Sequence, residues 1–574
     1  MILMLKKEKL NIIILSFLFL ILSFVTFLKQ GVPIVDFGRE VYIPSQMVQG
    51  EVLFKDIFNI FGPLSYQINA LAFKLFGTNI SVLNILGLIN SYIILIFTYF
   101  LSRKFLNDKI SFAISIFLIC TSIYQVGIFN YNLPYSYAAV YALSSVLISV
   151  YFFISFFENR NQKLLYLSTF FLGCSIAFKY DYLLFAFFVF IYLILKKVDY
   201  KIILKSILSF FIPIIVSFFI LFIQGVTLKD LVTHIILLSK MAKTPSLLFL
   251  YNNVAGMKPS ADAFIQIGIN FLYVAIILSI FYLSFYLNNL IKIKLEKHKL
   301  LSILLKLFFI IPIQIYLIVI VTIYFNRYIF IMVPLLTLII LILNLKKIIK
   351  TSSILILFIV TLISSLKYFY NVNILVYASL GIPFLSIMFC YIFLNFLTFK
   401  DKLNKKYVEI SLCIILLGIS YKFMITAIYF NIENNTKIIN YTNEYQLIND
   451  TGSANIINKE VKEIIKLTNE NDTVLIMPEG HILNYLSNRR SDNFYHTYMP
   501  PYIEFLGENN IINHLKQNSP ALIVINKKNL NDYGHTYICK SYAKDLCAWV
   551  YKNYEFESII GEGNYQFINY KKRK

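Results

Sequence analysis

The chain reads as an α-helical polytopic membrane protein of about thirteen spans that ends in a small α/β domain. Three observations predict this. Of its 574 residues 58% are hydrophobic, and the mean hydropathy is +0.70, whereas soluble domains rarely exceed about half apolar residues. The apolar residues recur in runs long enough to cross a bilayer. The last roughly 140 residues turn polar and alternate helical and strand patterns. The net charge of +22 does not indicate a nucleic-acid partner, because the lysines sit in short clusters between apolar runs, as the positive-inside rule expects.

In chain order, Lys6, Lys7 and Lys9 precede an apolar run from Asn11 to Leu28. It lacks a small-x-small cleavage site, so it is read as an uncleaved first span with a cytoplasmic N-terminus. A loop over 30–79 follows on the outside. It carries Asp36, Glu40, Glu51 and Asp56 beside a span, and carboxylates held at a bilayer surface suggest function. Val41 to Val48 and the amphipathic Leu64 to Phe76 suit short interfacial helices, with Gly62-Pro63 as the turn before the second. Spans are expected at about 80–101, 110–128 and 136–157. Leu164 to Leu195 has basic clusters at both ends, so it must be a hairpin. Its polar tip is Lys179-Tyr180-Asp181-Tyr182, and its arms are short for a bilayer.

Further spans are expected at about 203–224, 264–287, 301–322 and 329–345, two more flank Lys367 to Asn373, and the last covers about 408–430. The piece Leu228 to Met241 is amphipathic. An odd span count puts the C-terminal tail outside. The resulting division is a membrane part over 1–430 and an extracytoplasmic α/β domain over 431–574. In that domain 455–467, 509–517 and 537–551 read as helices, and 473–477 and 521–526 as buried strands.

Six cysteines are present. Cys120, Cys174, Cys390 and Cys413 lie in apolar runs as packing residues. Cys539 and Cys547 fall on the expected helix 537–551. A bridge is open to them in an oxidising compartment, but residues eight apart on a straight helix are about 12 Å apart, too far for a bond, so free thiols are the favoured expectation. No CxxC pair or metal-spaced His/Cys cluster appears. His481, His496, His514 and His535 lack ligand spacing and read as surface or core residues.

The chain resembles the GT-C fold of membrane glycosyltransferases, in the branch of protein O-mannosyltransferases and the lipid A aminoarabinose transferase. The first outer loop has D-x-x-x-E-x-Y (Asp36, Glu40, Tyr42), then M-x-x-G (Met47, Gly50). Asp56 precedes G-P-L-x-Y (Gly62, Pro63, Leu64, Tyr66), and the loop ends in L-F-G (Leu75 to Gly77). G-x-x-x-A-x-K (Gly173, Ala177, Lys179) and N-R-Y-x-x-x-x-x-P (Asn326, Arg327, Tyr328, Pro334) follow in order. The acidic residue follows Asp36 by four positions rather than immediately. The second outer loop, FNYNLP, has no carboxylate where several relatives carry one.

The resemblance implies an enzyme: an inverting hexosyl- or pentosyltransferase. It would move a sugar from a polyprenyl-phosphate donor to a cell-envelope lipid, glycan or protein. It would work on the outer face of a bacterial cytoplasmic membrane. The bilayer, the lipid-linked sugar and the acceptor are the partners; no cofactor is indicated, and a divalent metal stays open without residues that call for it. Such transfer needs an anion or base at the acceptor and cations at the phosphate. By matched position Asp36 is the candidate base, with Glu40 as its supporting residue and ion-pair partner of Arg39. Asp56 is a candidate acceptor contact, or alternatively a helix cap. Arg327, followed by Tyr328, could grip the lipid phosphate; its alternative is snorkelling to headgroups, although the charge rule disfavours an outer arginine. Lys179 is a similar case, with Asp181 as its counter-ion. Two other classes compete. A flippase for lipid-linked glycans would place its charges at mid-bilayer on broken helices, and an inactive scaffold would not need Asp36.

Overall fold

The structure is a computed structural model. It describes residues 2–294, 299–305, 307, 330–370, 377–396, 402–433, 436–491, 494 and 496–573. Among them six helices are long and apolar enough to cross a membrane: Glu8–Thr26, Ile80–Arg103, Tyr137–Asn159, Tyr200–Ile223, Ala261–Ser284 and Val408–Glu433. Five shorter apolar helices join them, Gln162–Phe178, Tyr180–Leu195, Met332–Leu343, Ser352–Tyr368 and Ser379–Asn395. The chain is a multi-pass membrane protein. The expected span over 301–322 lies largely outside the described residues, as do Asn326, Arg327 and Tyr328. The expected span at 110–128 is helical over Asp108–Leu118 and continues as a π-turn to Ile123.

Local chemistry fixes where the spans begin. Asn79, Asn107, Ser136, Asn161 and Asp199 each accept a hydrogen bond from a first-turn N–H of the helix that follows. Such caps satisfy amides that would otherwise be open at a helix end. The hairpin forms as Gln162–Phe178, a 3-10 turn Tyr180–Tyr182 and Leu183–Leu195. The amphipathic helices Leu64–Phe76 and Leu228–Met241 have the predicted limits. The second opens with a reciprocal capping box between Thr227 and Asp230.

The loop and the hairpin meet at Gly62. Its N–H donates to the Phe178 carbonyl at 3.0 Å, and a Cβ there would lie 2.0 Å from the Ala177 carbonyl oxygen. The G-P-L-x-Y and G-x-x-x-A-x-K segments are therefore in backbone contact, and glycine is the residue that allows it.

Among its described residues the C-terminal part has six strands: β1 Thr436–Ile439, β2 Tyr445–Asn449, β3 Val474–Met477, β4 Leu522–Asn526, β5 Tyr554–Ile560 and β6 Phe567–Lys572. β1 and β2 pair antiparallel. The other four form a sheet of order β3-β4-β6-β5, with β3 and β4 parallel and the remaining pairs antiparallel. β3 and β4 are buried on both faces, hence their continuous apolar sequences. Val474, Ile476, Leu522 and Val524 join the core that runs on into the membrane helices. Leu475, Met477, Ile523 and Ile525 pack in a second cluster with Phe58 of the loop and Met241 of the amphipathic helix. One face of the sheet thus packs on the core shared with the bundle and the loop residues Ile34, Phe37 and Val41, and the other mainly on the C-terminal helices, joined by Phe58 and Met241.

The expected helix 537–551 is shorter, running Lys544–Asn553. Cys539 and Ala543 adopt positive φ, and Ile538 bridges to Tyr542, so the chain folds back before the helix. This brings the Cys539 and Cys547 Cα atoms to 5.5 Å, and the two form a disulfide. The free-thiol expectation fails because its premise, one straight helix, fails.

Two predictions follow from packing. Gly62→Ala forces the loop away from the Ala177 carbonyl; overpacking of this kind costs about 1–3 kcal/mol, read as a lower melting temperature. Glu460 is fully buried with Asn569 as its partner at 3.3 Å. Burial, helped by Glu463, pushes its carboxyl up to about 8. The folded state keeps a proton that the unfolded chain releases in the ordinary glutamate range, so stability falls as pH rises from there to about 8. Glu460→Gln should therefore melt above the wild type at pH ~8, with the gap shrinking toward pH ~5, as scanning fluorimetry would show.

Candidate active site

Pro33–Phe37 forms a π-turn that includes one extended residue, Val35, and runs directly into helix Gly38–Val48. The turn puts Asp36 and Arg39 on one side. Arg39 donates to Asp36 Oδ1 at 3.0 Å, to Glu40 Oε1 at 3.3 Å and to the Tyr135 carbonyl at 3.2 Å. Glu40 is 0% exposed and also accepts from the Tyr66 hydroxyl at 2.6 Å and the Tyr137 N–H at 2.9 Å. Burial raises the Glu40 carboxyl, while Arg39, Tyr66 and Tyr137 pull it back. Burial also works against the charge on Arg39, and Tyr66, Asp36 and Glu40 more than offset it, so the guanidinium stays charged. Asp36 is different: its side chain is 31% exposed. Among the described residues its Oδ2 accepts no hydrogen bond. Glu40 is committed to holding Arg39, and Asp36 is left with an accessible oxygen.

A second charge cluster stands beside the first. Arg39 lies 5.4 Å and Lys179 5.3 Å from the centre of the Phe61 ring. Lys179 is also 6.0 Å from the Tyr135 ring. The hairpin-tip residue Asp181 pairs with Lys179 at 3.3 Å and with Lys367. Burial would raise the Asp181 carboxyl; the two lysines outweigh it and hold it at about 2. Lys367 keeps 45% of its side chain exposed and lies 5.8 Å from the Tyr251 ring. Tyr135 links the clusters. Burial raises its phenol first, Asp181 and Asp36 add to that, and Lys367 opposes.

The C-terminal segment meets the loop. At Gly38 a Cβ would lie 2.7 Å from the Ile482 backbone nitrogen, so loop and domain touch there. The Ser491 N–H donates to the Tyr42 hydroxyl at 2.8 Å. His481 and His496 pack on the Tyr42 ring at 5.2 and 5.7 Å. Burial, with His496 and Arg39 adding, lowers His481; burial and then Arg39 bring His496 to about 4. Both imidazoles are neutral at pH 7. Glu479 and Lys528 form an ion pair in the same region. His535 is remote, facing Glu504 at 3.8 Å.

The structure therefore brings together Asp36, Glu40 and Lys179 of the sequence-derived residues. It leaves out Asp56, whose Oδ2 accepts from the Val52 N–H in an exposed turn and which caps no helix. Arg327 and Tyr328 lie outside the described residues. Sequence reasoning missed Lys367, Tyr135, Glu479 and Lys528.

Residues 62–228 match a family model described as dolichyl-phosphate-mannose-protein mannosyltransferase. That segment includes Gly62, Tyr66, Tyr135, Lys179 and Asp181. No curated protein sequence matches the chain. Among solved structures it is similar to ArnT from Cupriavidus metallidurans bound to undecaprenyl phosphate, with TM-score 0.50 and 9% identity over 97% of each chain. The apo state of the same protein gives 0.46 at 9% identity over 97% of each chain. The Archaeoglobus fulgidus oligosaccharyltransferase, in complex with Zn and sulfate, gives 0.45 at 12% identity, covering 89% of this chain and 67% of that one. Likeness at such identity speaks for the fold. The first of these likenesses is one of fold, and the family match covers the segment 62–228.

Proposed function

We propose that the chain transfers a glycosyl group from a polyprenyl-phosphate carrier to a cell-envelope acceptor, with inversion, on the outer face of a bacterial cytoplasmic membrane. In this reading 30–79 is the catalytic loop and 431–574 lies outside the membrane. One observation carries it: a partly exposed carboxylate, Asp36, held by Arg39 and next to a second cluster in which the hairpin-tip Asp181 pairs with Lys179 and Lys367. The carrier is supported by the matched family, described by its dolichyl phosphate, and by the similar structure, which is bound to undecaprenyl phosphate.

The chemistry follows from the placement. The acceptor oxygen attacks the anomeric carbon on the face opposite the phosphate. Its proton passes to Asp36 Oδ2 as the carbon–oxygen bond forms. The anomeric carbon–phosphate oxygen bond breaks, and the lipid phosphate leaves with the electron pair. Arg39 aims Asp36 by donating to its Oδ1. Lys179 and Lys367, with Arg327 and Tyr328 as further candidates, meet the charge that develops on the phosphate. A flippase is less well supported, because the described charges gather at loops and helix ends rather than within the spans.

Two measurements test this in proteoliposomes supplied with radiolabelled polyprenyl-phosphate sugars. Asp36→Asn should lower transfer by roughly 10²–10⁴-fold, the range for a lost general base, while undecaprenyl phosphate still binds. Undiminished transfer would remove the assignment. Lys367→Met leaves Asp181 paired with Lys179. It should weaken undecaprenyl phosphate binding by about tenfold or more, as expected for one charge-assisted contact. Unchanged binding would take Lys367 out of the donor site.

A further inference from the structure

The β3 and β4 strands are adjacent and parallel. In sheets of this kind ligands bind beyond the carboxyl ends of the strands. Two residues past the end of β3 stands Glu479; two residues past the end of β4 stands Lys528. The two side chains pair with each other, and the Asn526 side chain donates to the Glu479 carbonyl at 3.2 Å. This edge faces the loop. Glu479 feels both Asp36 and Arg39, and Lys528 feels Asp36. Tyr502 shares Arg39, Asp36 and Glu479 as neighbours, and Tyr542 lies near Glu479.

Stability does not account for this pair. A buried ion pair roughly breaks even against apolar residues of the same size. The domain is already fixed by the Gly38–Ile482 contact and the Ser491–Tyr42 bond. Placing a second carboxylate in the field of Asp36 adds cost. The pair is also electrically neutral, so it has no net charge to offer a phosphate, and its carboxylate would repel one. What it offers is an acceptor and a donor side by side, where the strand ends meet the loop that carries Asp36. Vicinal hydroxyls of a sugar ring match that arrangement.

We infer that Glu479 and Lys528 form a sugar-hydroxyl site that the C-terminal segment sets beside the loop of Asp36. This rests on the glycosyl-transfer reading above and adds which residues hold the sugar. The sugar is either the donor's glycosyl group or a glycan acceptor.

The test uses the full chain in nanodiscs and saturation-transfer NMR with a panel of methyl hexosides and pentosides. Wild type should saturate the ring protons of at least one glycoside. Glu479→Gln with Lys528→Met removes both charges at once, avoiding an orphaned ion, and should cut that signal at least fivefold without lowering the melting temperature. Should the double variant melt lower, Glu479→Asp, which retracts the carboxylate by one methylene and keeps the charge pair, should still weaken the signal at least threefold. No glycoside signal in the wild type, or equal signals in wild type and variants, would overturn the inference. Undecaprenyl phosphate carrying the same sugar should displace the glycoside if the site holds the donor sugar and leave it bound if the site holds the acceptor; unglycosylated undecaprenyl phosphate displaces it in neither case. Failure of the transfer reading would register separately: neither lipid would shift the melting temperature, while glycoside binding still tracked Glu479 and Lys528.

Discussion

The site depends on the burial of one guanidinium. Arg39 has five N–H donors in a rigid plane, and they reach Asp36, Glu40 and the Tyr135 carbonyl. Taking such a charge out of water costs several kcal/mol unless anions and hydrogen bonds compensate. Glu40 supplies the compensation from below, and it is itself held by Tyr66 and Tyr137. Three separate stretches of chain, around positions 36–40, 66 and 135–137, are thereby tied to one cation. Asp36 is the member of this set that keeps solvent access. Loss of the clamp would leave Glu40 as an uncompensated buried charge, so the geometry of Asp36 is tied to local stability.

Much of this was legible in the sequence, for local reasons. Helices Leu64–Phe76 and Leu228–Met241 could be bounded because their 3.6-residue periodicity ends at Gly77 and starts at the Thr227 cap. The hairpin was forced by basic residues at both ends of one apolar stretch and a single polar tip. The strands β3 and β4 showed as short apolar runs because they are buried on both faces. The helix ahead of Trp549 was misread, because the break at Ala543 uses a left-handed conformation at a residue whose sequence gives no turn signal. β5 and β6, half exposed, carry too little apolar alternation to stand out.

The site was only half legible, and the division is instructive. Asp36, Glu40 and Lys179 are found by motif and membrane-edge position. Lys367, Glu479 and Lys528 come from segments hundreds of residues away, and nothing local says that they converge. Asp56 shows the opposite error: a carboxylate in the right loop, spent on closing its own turn from Val52. Proximity in sequence to a functional loop is not proximity to its chemistry.

The balance of charge bears on how a ligand could enter. Among the described residues Arg39, Lys179 and Lys367 are matched by Asp36, Glu40 and Asp181. On the proposed reading, an incoming lipid phosphate must compete with Asp181 for the lysines rather than fill an empty cationic pocket. That is cheaper than it sounds. Asp181 has already set the positions of Lys179 and Lys367, so the side-chain entropy of ordering them is lost on folding rather than on binding. Lys367, nearly half exposed, can turn one donor to a new oxygen and keep another on Asp181, since an ammonium has three. A carboxylate at the hairpin tip then serves as an internal stand-in for phosphate. It is strong enough to keep two lysines together, and shared widely enough to let one of them go.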